Sequence, residues 1–394
     1  MSTTTLQIEK KKMLAPHLRF PGFDGEWEKN TLGEAFTIFN GYAFSSTSSV
    51  DEGVLWVKIA DVGIQEMKKN NLSYLPTSLK EKHKKFIISK GDFVVALTRP
   101  ILNGKLKIAQ INSFFDGALL NQRVGKIVSN NSHYFIYSLL QKDELIKSIE
   151  NNIAGSDPPN LSPNEINSIE ISITTLPEQQ KIASFLSAVD EKIQQFSSKK
   201  ELLEQYKIGV MQQLFSGKLR FKDENGKDYP DWEEKKLGDV CESIKSGKSY
   251  SSEEGKFPLY GSTGIIGKCN EYSHEGLYIL IARVGANAGT INLIQDKFGV
   301  SDNTLVLNCN QNSFINYLFH YLGYYNLNRL VFGSGQPLIT GGQLKILQLN
   351  SPSFPEQQKI ANFLSGIDGK IEQVNWELVK TEEFKKGLLQ QMFV

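Results

Sequence analysis

The stretch that decides the fold occurs twice. Residues 177–193 read PEQQKIASFLSAVDEKI, and residues 355–371 read PEQQKIANFLSGIDGKI. Further along, the match continues at the same spacing in the pairs Lys207/Lys385, Gly209/Gly387, Gln212/Gln390, Gln213/Gln391 and Phe215/Phe393. A repeat of this size predicts two structurally equivalent halves.

Both copies have the pattern of a long amphipathic helix. Pro177 and Pro355 suit the first helical position, and the glutamates after them suit the positive end of the helix dipole. Alternating steps of four and three residues collect a mostly apolar seam, which favours a coiled coil about 58 Å long. The seam contains Ile182, Leu186, Val189, Ile193 and Phe196, then Ile360, Leu364, Ile367, Ile371 and Val374. We expect the helices to pair in antiparallel fashion as a spacer; packing of each helix on its own domain is the alternative.

A second repeated motif marks the start of a globular domain. The motif is LRF at 18–20, WE at 27–28 and LGE at 32–34, then LRF at 219–221, WE at 232–233 and LGD at 237–239. Each start leads into short β-rich runs broken by Gly, Asn, Ser and Pro, as in a loop-rich α/β domain. Residues 13–20 also align with residues 214–221, so the repeat resumes at the N-terminus.

These repeats predict an α+β fold with two α/β domains separated by two long antiparallel helices. Because the repeat closes on itself, we expect a pseudo-two-fold, quasi-circular molecule with neighbouring termini. The predicted segments are a leader at 1–16, a first domain at 17–176, a central helical region at 177–217, a second domain at 218–353 and a C-terminal helical region at 354–394.

Composition is that of a globular protein. A chain of 394 residues that is 40% hydrophobic can bury a sizeable core. No apolar run approaches the roughly 20 residues of a membrane span, and no secretory signal is visible, so we expect a cytoplasmic protein. Cys241, Cys269 and Cys309 are too few and too far apart for a disulfide framework, so we expect reduced thiols. The net charge of +1 neither requires nor excludes a nucleic-acid partner.

Candidate catalytic motifs fail on inspection. Residues 156–160 are similar to the Asp-Pro-Pro-aromatic box of adenine methyltransferases, but Asn160 replaces the aromatic residue. Residues 261–269 miss the phosphate-loop spacing by one residue and place Cys269 where a hydroxyl would bind magnesium. The histidines show no metal-ligand spacing. We therefore predict a chain that is not an enzyme by itself and carries no metal or cofactor of its own.

Several loops combine glycine, an aromatic residue, a hydroxyl or amide, and a basic residue. In the first domain the candidates are Tyr42, Phe44, Arg99, Asn103, Lys105, Asn121, Gln122 and Arg123. In the second they are Lys245, Lys248, Tyr250, Tyr260, Ser262, Thr263, Arg283, Asn287 and Asn303. Lysines and backbone amides bind phosphates, and arginine or amide side chains read base edges, so we predict DNA contacts here. A structural role in a surface turn is the alternative for each residue.

Polar residues outside the seam are repeated too. Gln179, Gln180 and Lys181 recur as Gln357, Gln358 and Lys359. We expect these side chains to be exposed. Since one patch presented twice can bind twice, they are candidates for docking two copies of a partner; solvated surface is the alternative.

Taken together, the repeated PEQQKIA helices, the repeated domain starts and the PLYGSTG stretch at 258–264 carry a family resemblance. The chain resembles the DNA sequence-specificity subunits of type I restriction-modification enzymes. The resemblance covers nearly the whole chain. It implies two target-recognition domains, each reading one half of a bipartite, asymmetric site in double-stranded DNA.

The resemblance also implies partners. The paired helices would fix the unread spacer and dock two modification (adenine methyltransferase) subunits, and restriction (translocase-nuclease) subunits would complete the complex. S-adenosylmethionine, ATP and magnesium would belong to those partners. The first domain has WVKIAD at 56–61 where the second has YGSTG, so the two domains are not expected to read DNA alike. A protein-interaction scaffold that does not bind DNA is the alternative.

Overall fold

The computed structural model describes residues 14–153, 157–333 and 337–394, so most of the predicted leader lies outside the described residues. The chain divides into two compact units. Unit 1 extends to Gln195 and takes up Leu378–Val394, whereas unit 2 is Phe196–Glu377. Each unit therefore contains one globular domain and a part of each long helix.

Unit 1 is built from short strands and helices. Its strands are β1 (Glu28–Thr31), β2 (Thr37–Asn40), β3 (Val54–Val57), β4 (Tyr74–Leu75), β5 (Phe93–Ala96), β6 (Ile101–Leu102), β7 (Lys105–Leu106), β8 (Ile108–Gln110), β9 (Leu119–Leu120), β10 (Val124–Val128) and β11 (Glu170–Ile173). Its helices are α1 (Leu32–Ala35), α2 (Ser78–Lys82), α3 (His133–Leu139), α4 (Asp143–Ile153) and α5 (Pro163–Ile166), followed by α6 (Leu176–Phe215), which continues into unit 2.

The central sheet of unit 1 has the antiparallel order β2-β10-β5-β8. Strand β5 is apolar throughout because both faces of this sheet are covered. Phe93 and Val95 face the core that includes α3, α4 and the long helices, whereas Val94 and Ala96 face a second core under the loops. Strand β1 pairs with β11, so the beginning and end of the domain are joined.

Unit 2 repeats this plan with longer strands. They are β12 (Glu233–Lys236), β13 (Cys241–Ser246), β14 (Phe257–Gly261), β15 (Gly264–Cys269), β16 (His274–Ala282), β17 (Ile291–Val300), β18 (Thr304–Cys309) and β19 (Gln348–Ser351). The helices are α7 (Leu237–Val240), α8 (Ile315–Tyr325), α9 (Gly341–Lys345) and α10 (Phe354–Gln391).

The order β13-β18-β16-β17 in unit 2 corresponds to β2-β10-β5-β8 in unit 1. The pairing of β12 with β19 corresponds to that of β1 with β11. Alternation along the central strand is also reproduced, because Ile279 and Ile281 face the helix-side core while Leu280 faces the second core. The two domains thus share one framework. In unit 2 the β14–β15 hairpin joins the central sheet through β17, whereas in unit 1 β4, β3 and β9 form a separate sheet.

The two long helices pair in antiparallel fashion within each unit. In unit 1, Lys385 of α10 binds Asp190 of α6, with 2.6 Å between nitrogen and oxygen. In unit 2, Lys207 of α6 binds Asp368 of α10 at 2.5 Å. The seam also packs on the domains, since Leu186 belongs to the core of unit 1 and Leu364 to that of unit 2. Pairing of the helices and packing on the domains therefore occur together.

In the described part of the chain, no helix is both long enough and apolar enough to span a bilayer.

Candidate nucleic-acid interface

Three of the predicted loops of unit 1 meet at one end of its central sheet. The amide of Tyr42 donates to the Leu120 carbonyl at 2.9 Å, and the Gln122 amide donates back to the Tyr42 carbonyl at 3.0 Å. The amide of Leu97 donates to the Arg123 carbonyl at 2.9 Å. Backbone hydrogen bonds therefore hold the loops at 40–45, 97–99 and 121–123 side by side, with Tyr42, Gln122 and Arg123 exposed.

Unit 2 builds the same junction from different residues. The amide of Ser249 donates to the Val300 carbonyl at 2.8 Å, and the Arg283 amide donates to the Asn303 carbonyl at 2.9 Å. The hydroxyl of Ser262 also donates to the Asn303 carbonyl, at 2.6 Å. The predicted loops at 245–250, 260–264, 282–287 and 302–304 are thereby brought together.

A glycine allows the close approach in both junctions. A Cβ atom on Gly41 would lie 2.2 Å from the Leu120 carbonyl oxygen, and one on Gly247 would lie 2.1 Å from the Val300 carbonyl oxygen. Both distances are far inside van der Waals contact with backbone, so any side chain would push the loop away. These glycines fix where the following residues, Tyr42 and Lys248, emerge.

In each junction, one loop also forms a backbone hydrogen bond with a segment further along the chain. The Arg99 amide donates to the Pro159 carbonyl at 2.8 Å, and the Gly285 amide donates to the Pro337 carbonyl at 2.9 Å. Unit 1 has a depression at this point, lined by Asn40, Leu97, Thr98, Gln122, Arg123, Pro158, Asn160, Leu161 and Ser162.

The shared backbone presents different side chains at matched positions. Tyr42 corresponds to Lys248, Leu97 to Arg283, and Arg123 to Asn303. Leu97 is buried, whereas the Arg283 guanidinium donates from Nη1 to the Asp302 carbonyl at 3.3 Å. Its Nε atom is buried and finds no acceptor among the described residues. A buried donor of this kind is costly unless a ligand supplies an acceptor.

Some of the other predicted contact residues have exposed side chains, and some are half-buried or hydrogen-bonded within the domain. Exposed side chains are those of Arg99, Asn103, Lys245, Lys248, Tyr250, Thr263, Asn287 and Asn303. Phe44 and Tyr260 are half-buried, and burial raises the pKa of Tyr260. The Asn121 side chain accepts from the Arg123 amide at 2.9 Å, so its oxygen is used within the turn.

Lys105 does not join this junction. It follows the Asn103-Gly104 turn of the β6–β7 hairpin, and its ammonium binds Asp143 of α4 at 2.7 Å. Together with Gln141, Lys385 and Lys386 it lines a cavity of about 420 Å³ beside α10. The sequence prediction missed this partner because Asp143 is remote in the chain.

The repeated LRF motifs join each domain to a helix N-terminus. Arg19 donates to Glu178 from Nε at 2.7 Å and from Nη2 at 2.8 Å. Arg220 binds Glu356 in the same manner at 3.1 and 2.8 Å, and the Trp232 indole adds a third donor at 3.0 Å. Burial alone would raise the pKa of Glu178, but the hydrogen bonds from Arg19 and Thr174 lower it overall.

The other two residues of the motif behave alike in both units. The Leu18 amide donates to the Gln391 carbonyl at 2.9 Å, and the Leu219 amide donates to the Gln213 carbonyl at 3.1 Å. The Phe20 ring lies 5.6 Å from that of Phe185, and Phe221 lies 5.6 Å from Phe363. The LRF and PEQQ repeats are thus the two sides of one contact, which sequence spacing alone did not reveal.

The expected exposure of the repeated glutamines is wrong for Gln179 and Gln357. Both are buried, at 1% and 2% exposure. The Gln179 side chain accepts from the Ser132 amide at 3.0 Å, and that of Gln357 accepts from the Phe314 amide at 2.8 Å. Each therefore binds the start of α3 or α8, a task the heptad pattern could not show.

The remaining docking candidates stay at the surface to different degrees. Gln180 and Lys181 are exposed, whereas Gln358 and Lys359 are half-buried. The Lys181 ammonium lies 5.5 Å from the Phe20 ring, and that of Lys359 donates to the Lys222 carbonyl at 2.7 Å. Within the described ranges, no cluster of His, Cys, Asp or Glu could hold a metal ion, and the three cysteines are free thiols.

Comparison with known proteins supports this repeated plan. The family model described as the type I restriction modification DNA specificity domain matches residues 24–205 and again residues 229–380. The chain belongs to this family. The family resemblance seen in the sequence is thereby confirmed.

Relatives in the family agree to different extents. The type I restriction enzyme MjaVIII specificity subunit of Methanocaldococcus jannaschii is 30% identical over 203 residues, covering 51% of this chain and 48% of the relative. The chain thus spans about half the length of that relative. A putative type I restriction enzyme MjaX specificity subunit of the same organism is 22% identical, over 92% of both chains.

A solved structure shares the fold. The S subunit of a type I restriction-modification system from M. genitalium has a TM-score of 0.67 at 20% identity, covering 96% of this chain and 99% of that one. The predicted α+β class, with two repeated domains and long helices, is confirmed.

Proposed function

We propose that this family member is the DNA sequence-recognition subunit of a type I restriction-modification complex in the cytoplasm. Each unit would read one half of a bipartite, asymmetric site in double-stranded DNA. The chain would perform no catalysis itself, and S-adenosylmethionine, ATP and magnesium would bind to its partners.

One observation carries the proposal. The two loop junctions share backbone hydrogen bonds: that of the Gly41 amide corresponds to that of the Gly247 amide, and that of Leu97 to that of Arg283. Yet unit 1 presents exposed Tyr42 and Arg123 where unit 2 presents Lys248 and Asn303. A constant frame with divergent side chains suits recognition of two unlike sequences, because side chains read bases while backbone and lysines hold phosphates. The long helices would set the distance between the half-sites.

We further propose that the helix N-termini dock two modification subunits. Gln180 and Lys181 in unit 1 and Gln358 and Lys359 in unit 2 would contribute to that surface. The buried Gln179 and Gln357 would act indirectly, by holding α3 and α8 against the helix ends. Two equivalent sites, one per unit, would follow from the repeat.

The decisive experiment maps methylated adenines in DNA exposed to the chain reconstituted with its modification subunits. We expect one bipartite site with a fixed spacer. Arg283→Ala should lower discrimination at one half-site by about 1–3 kcal/mol, and Arg123→Ala should do so at the other. Equal loss on all sequences would mark the residue as a phosphate contact, and absence of any DNA footprint would favour the scaffold alternative.

A further inference from the structure

A basic segment in unit 1 lies beside the loop junction and was not among the predicted contact residues. Residues 78–86 read SLKEKHKKF and form α2 followed by a 3-10 turn at Lys84–Phe86. Lys82, Lys84 and Lys85 are exposed, and we call residues 80–85 the basic segment. A run of lysines is by itself an ordinary solvated surface, so its surroundings decide what it does.

Contacts between aromatic rings tie the basic segment to the loop at 40–45. The His83 ring centroid lies 4.3 Å from that of Tyr42 and 5.2 Å from that of Phe44. The Lys85 ammonium lies 4.8 Å from the Phe86 ring, which stacks on Phe39 at 5.6 Å. Tyr42 and Phe39 are 41% and 36% exposed, so lysines flank an open aromatic surface.

The charges of the basic segment are available to a ligand. Lys84 binds Glu81 at 2.7 Å, but both side chains are more than two-thirds exposed. Solvated ion pairs of this kind contribute little and are easily exchanged. Cationic side chains next to exposed rings are the chemistry that grips a phosphate backbone and packs on its sugars.

The described part of unit 2 has no such segment at the equivalent place. Strand β14 lies parallel to β17, as β3 lies parallel to β9, so β14 and β3 are equivalent. After β3 the chain runs through β4 into α2 and the basic segment, whereas after β14 it turns straight back as β15. That hairpin exposes Ile265 and Ile266 at its turn, and Lys268 is the exposed lysine of β15, so the run of lysines that follows β4 in unit 1 is replaced by a single one.

We propose that the basic segment binds DNA phosphates beside the half-site read by unit 1. The inference rests on the proposed DNA-recognition function and adds a phosphate-binding surface to it. Lys82, Lys84 and Lys85 supply non-specific, salt-sensitive affinity, while Tyr42 and Phe39 pack on the sugars.

The test uses the full complex reconstituted with modification subunits. The variant Lys82→Gln/Lys84→Gln/Lys85→Gln is compared with Lys218→Gln/Lys222→Gln/Lys227→Gln, which removes the same charge from exposed lysines around the start of domain 2. Affinity is measured over a salt series for a duplex carrying the mapped site and for a random duplex. We expect the slope of log K against log salt to become shallower by up to about 2.7, at about 0.9 for each lost phosphate contact, in the first variant only.

Loss of affinity should be the same fold on both duplexes, since phosphate contacts do not depend on sequence. Each single Lys→Gln variant should give about a third of the change in slope. A slope equal to that of the control, or a loss confined to one half-site, would overturn the inference while leaving the proposed function intact. If the unaltered complex showed no preference for the mapped site, the proposed function itself would fail.

Discussion

The helix-domain junctions of the two units are nearly identical, whereas their loop junctions share only the backbone. Arg19–Glu178 and Arg220–Glu356, Phe20–Phe185 and Phe221–Phe363 are matched contact by contact. At the loops, by contrast, Leu97 stands where unit 2 has Arg283. The side chains that attach each domain to the long helices are therefore the same in both copies of the repeat. The side chains of the loops that would contact DNA differ.

The largest effect is expected from replacing the arginine at either helix-domain junction, Arg19 or Arg220. Arg220→Met would leave the fully buried carboxylate of Glu356 with the Trp232 indole alone, and Arg19→Met would leave Glu178 with Thr174. Breaking one partner of a buried pair costs about 3–5 kcal/mol, so each variant should lose roughly that much stability. Urea unfolding measures it, with the exposed Arg329→Met as control. Unequal losses in the two units would contradict their equivalence.

The next largest effect is a pH dependence of the unfolding free energy that we expect in unit 2 and not in unit 1. Gln179 and Gln357 hold the equivalent residues Ser132 and Phe314, so Ser138 and His320 occupy matched positions on α3 and α8. His320 is buried, with Ser365 at 3.1 Å and Asp368 at 3.8 Å. Burial, together with the charge of Lys207, lowers the pKa of His320 to about 4.

Between pH 6.5 and 4 the unfolded chain binds a proton at His320 that the folded chain does not. The unfolding free energy of unit 2 should therefore decrease as the pH is lowered from 6.5 to 4. The total decrease should be about 3 kcal/mol, at 1.36 kcal/mol per pH unit. Urea titrations followed by tryptophan fluorescence measure this. His320→Ser, which copies unit 1, should remove that part of the slope; an unchanged slope would show that other groups produce it.

A smaller difference in stability should appear between variants of Lys385 and Lys207, the two lysines that form ion pairs between the long helices. Lys385 is 5% exposed and donates to Asp190, Gln65 and Gln141, whereas Lys207 is 22% exposed and its ammonium pairs with Asp368. Lys385→Met would leave two amide oxygens without their donor and should cost about 2 kcal/mol. Lys207→Met should cost less than about 1 kcal/mol, since its pair is partly solvated.

Thermal unfolding of both variants checks the order. Burial lowers the pKa of Lys385, although Asp190 opposes this, so at high pH the unfolded chain keeps a proton that the folded chain has lost. The unaltered chain therefore gains stability as the pH rises, and Lys385→Met should lose more stability at high pH than at neutral pH. Equal costs for the two lysines would mean that the contacts of Gln65 and Gln141 add nothing.

The features of the fold that could be predicted from the sequence are those that the internal repeat makes visible. Two copies of one pattern gave the helices, their antiparallel seam and the domain order, because periodic apolar residues determine helix faces locally. The partner of Lys105 was not foreseeable, since Asp143 meets it only after the sheet has formed. Gln179 looked exposed because the heptad pattern describes the helix seam and not the domain that covers the helix end. Arg19 and Glu178 appeared as two separate motifs, although both recur, since only folding brings them together.

The smallest effect concerns the glycines repeated in the helices. Gly209 and Gly387 lie in the interiors of α6 and α10, and a Cβ atom at either position would meet no atom of the described residues within 4 Å. Alanine is favoured over glycine in a helix by up to about 1 kcal/mol, so Gly209→Ala and Gly387→Ala should each raise stability by about that amount. Packing among the described residues therefore does not require glycine at either position. If both variants are more stable but the reconstituted complex methylates DNA less, the glycines keep room for a docked modification subunit; if methylation is unchanged, their repetition reflects only the duplication.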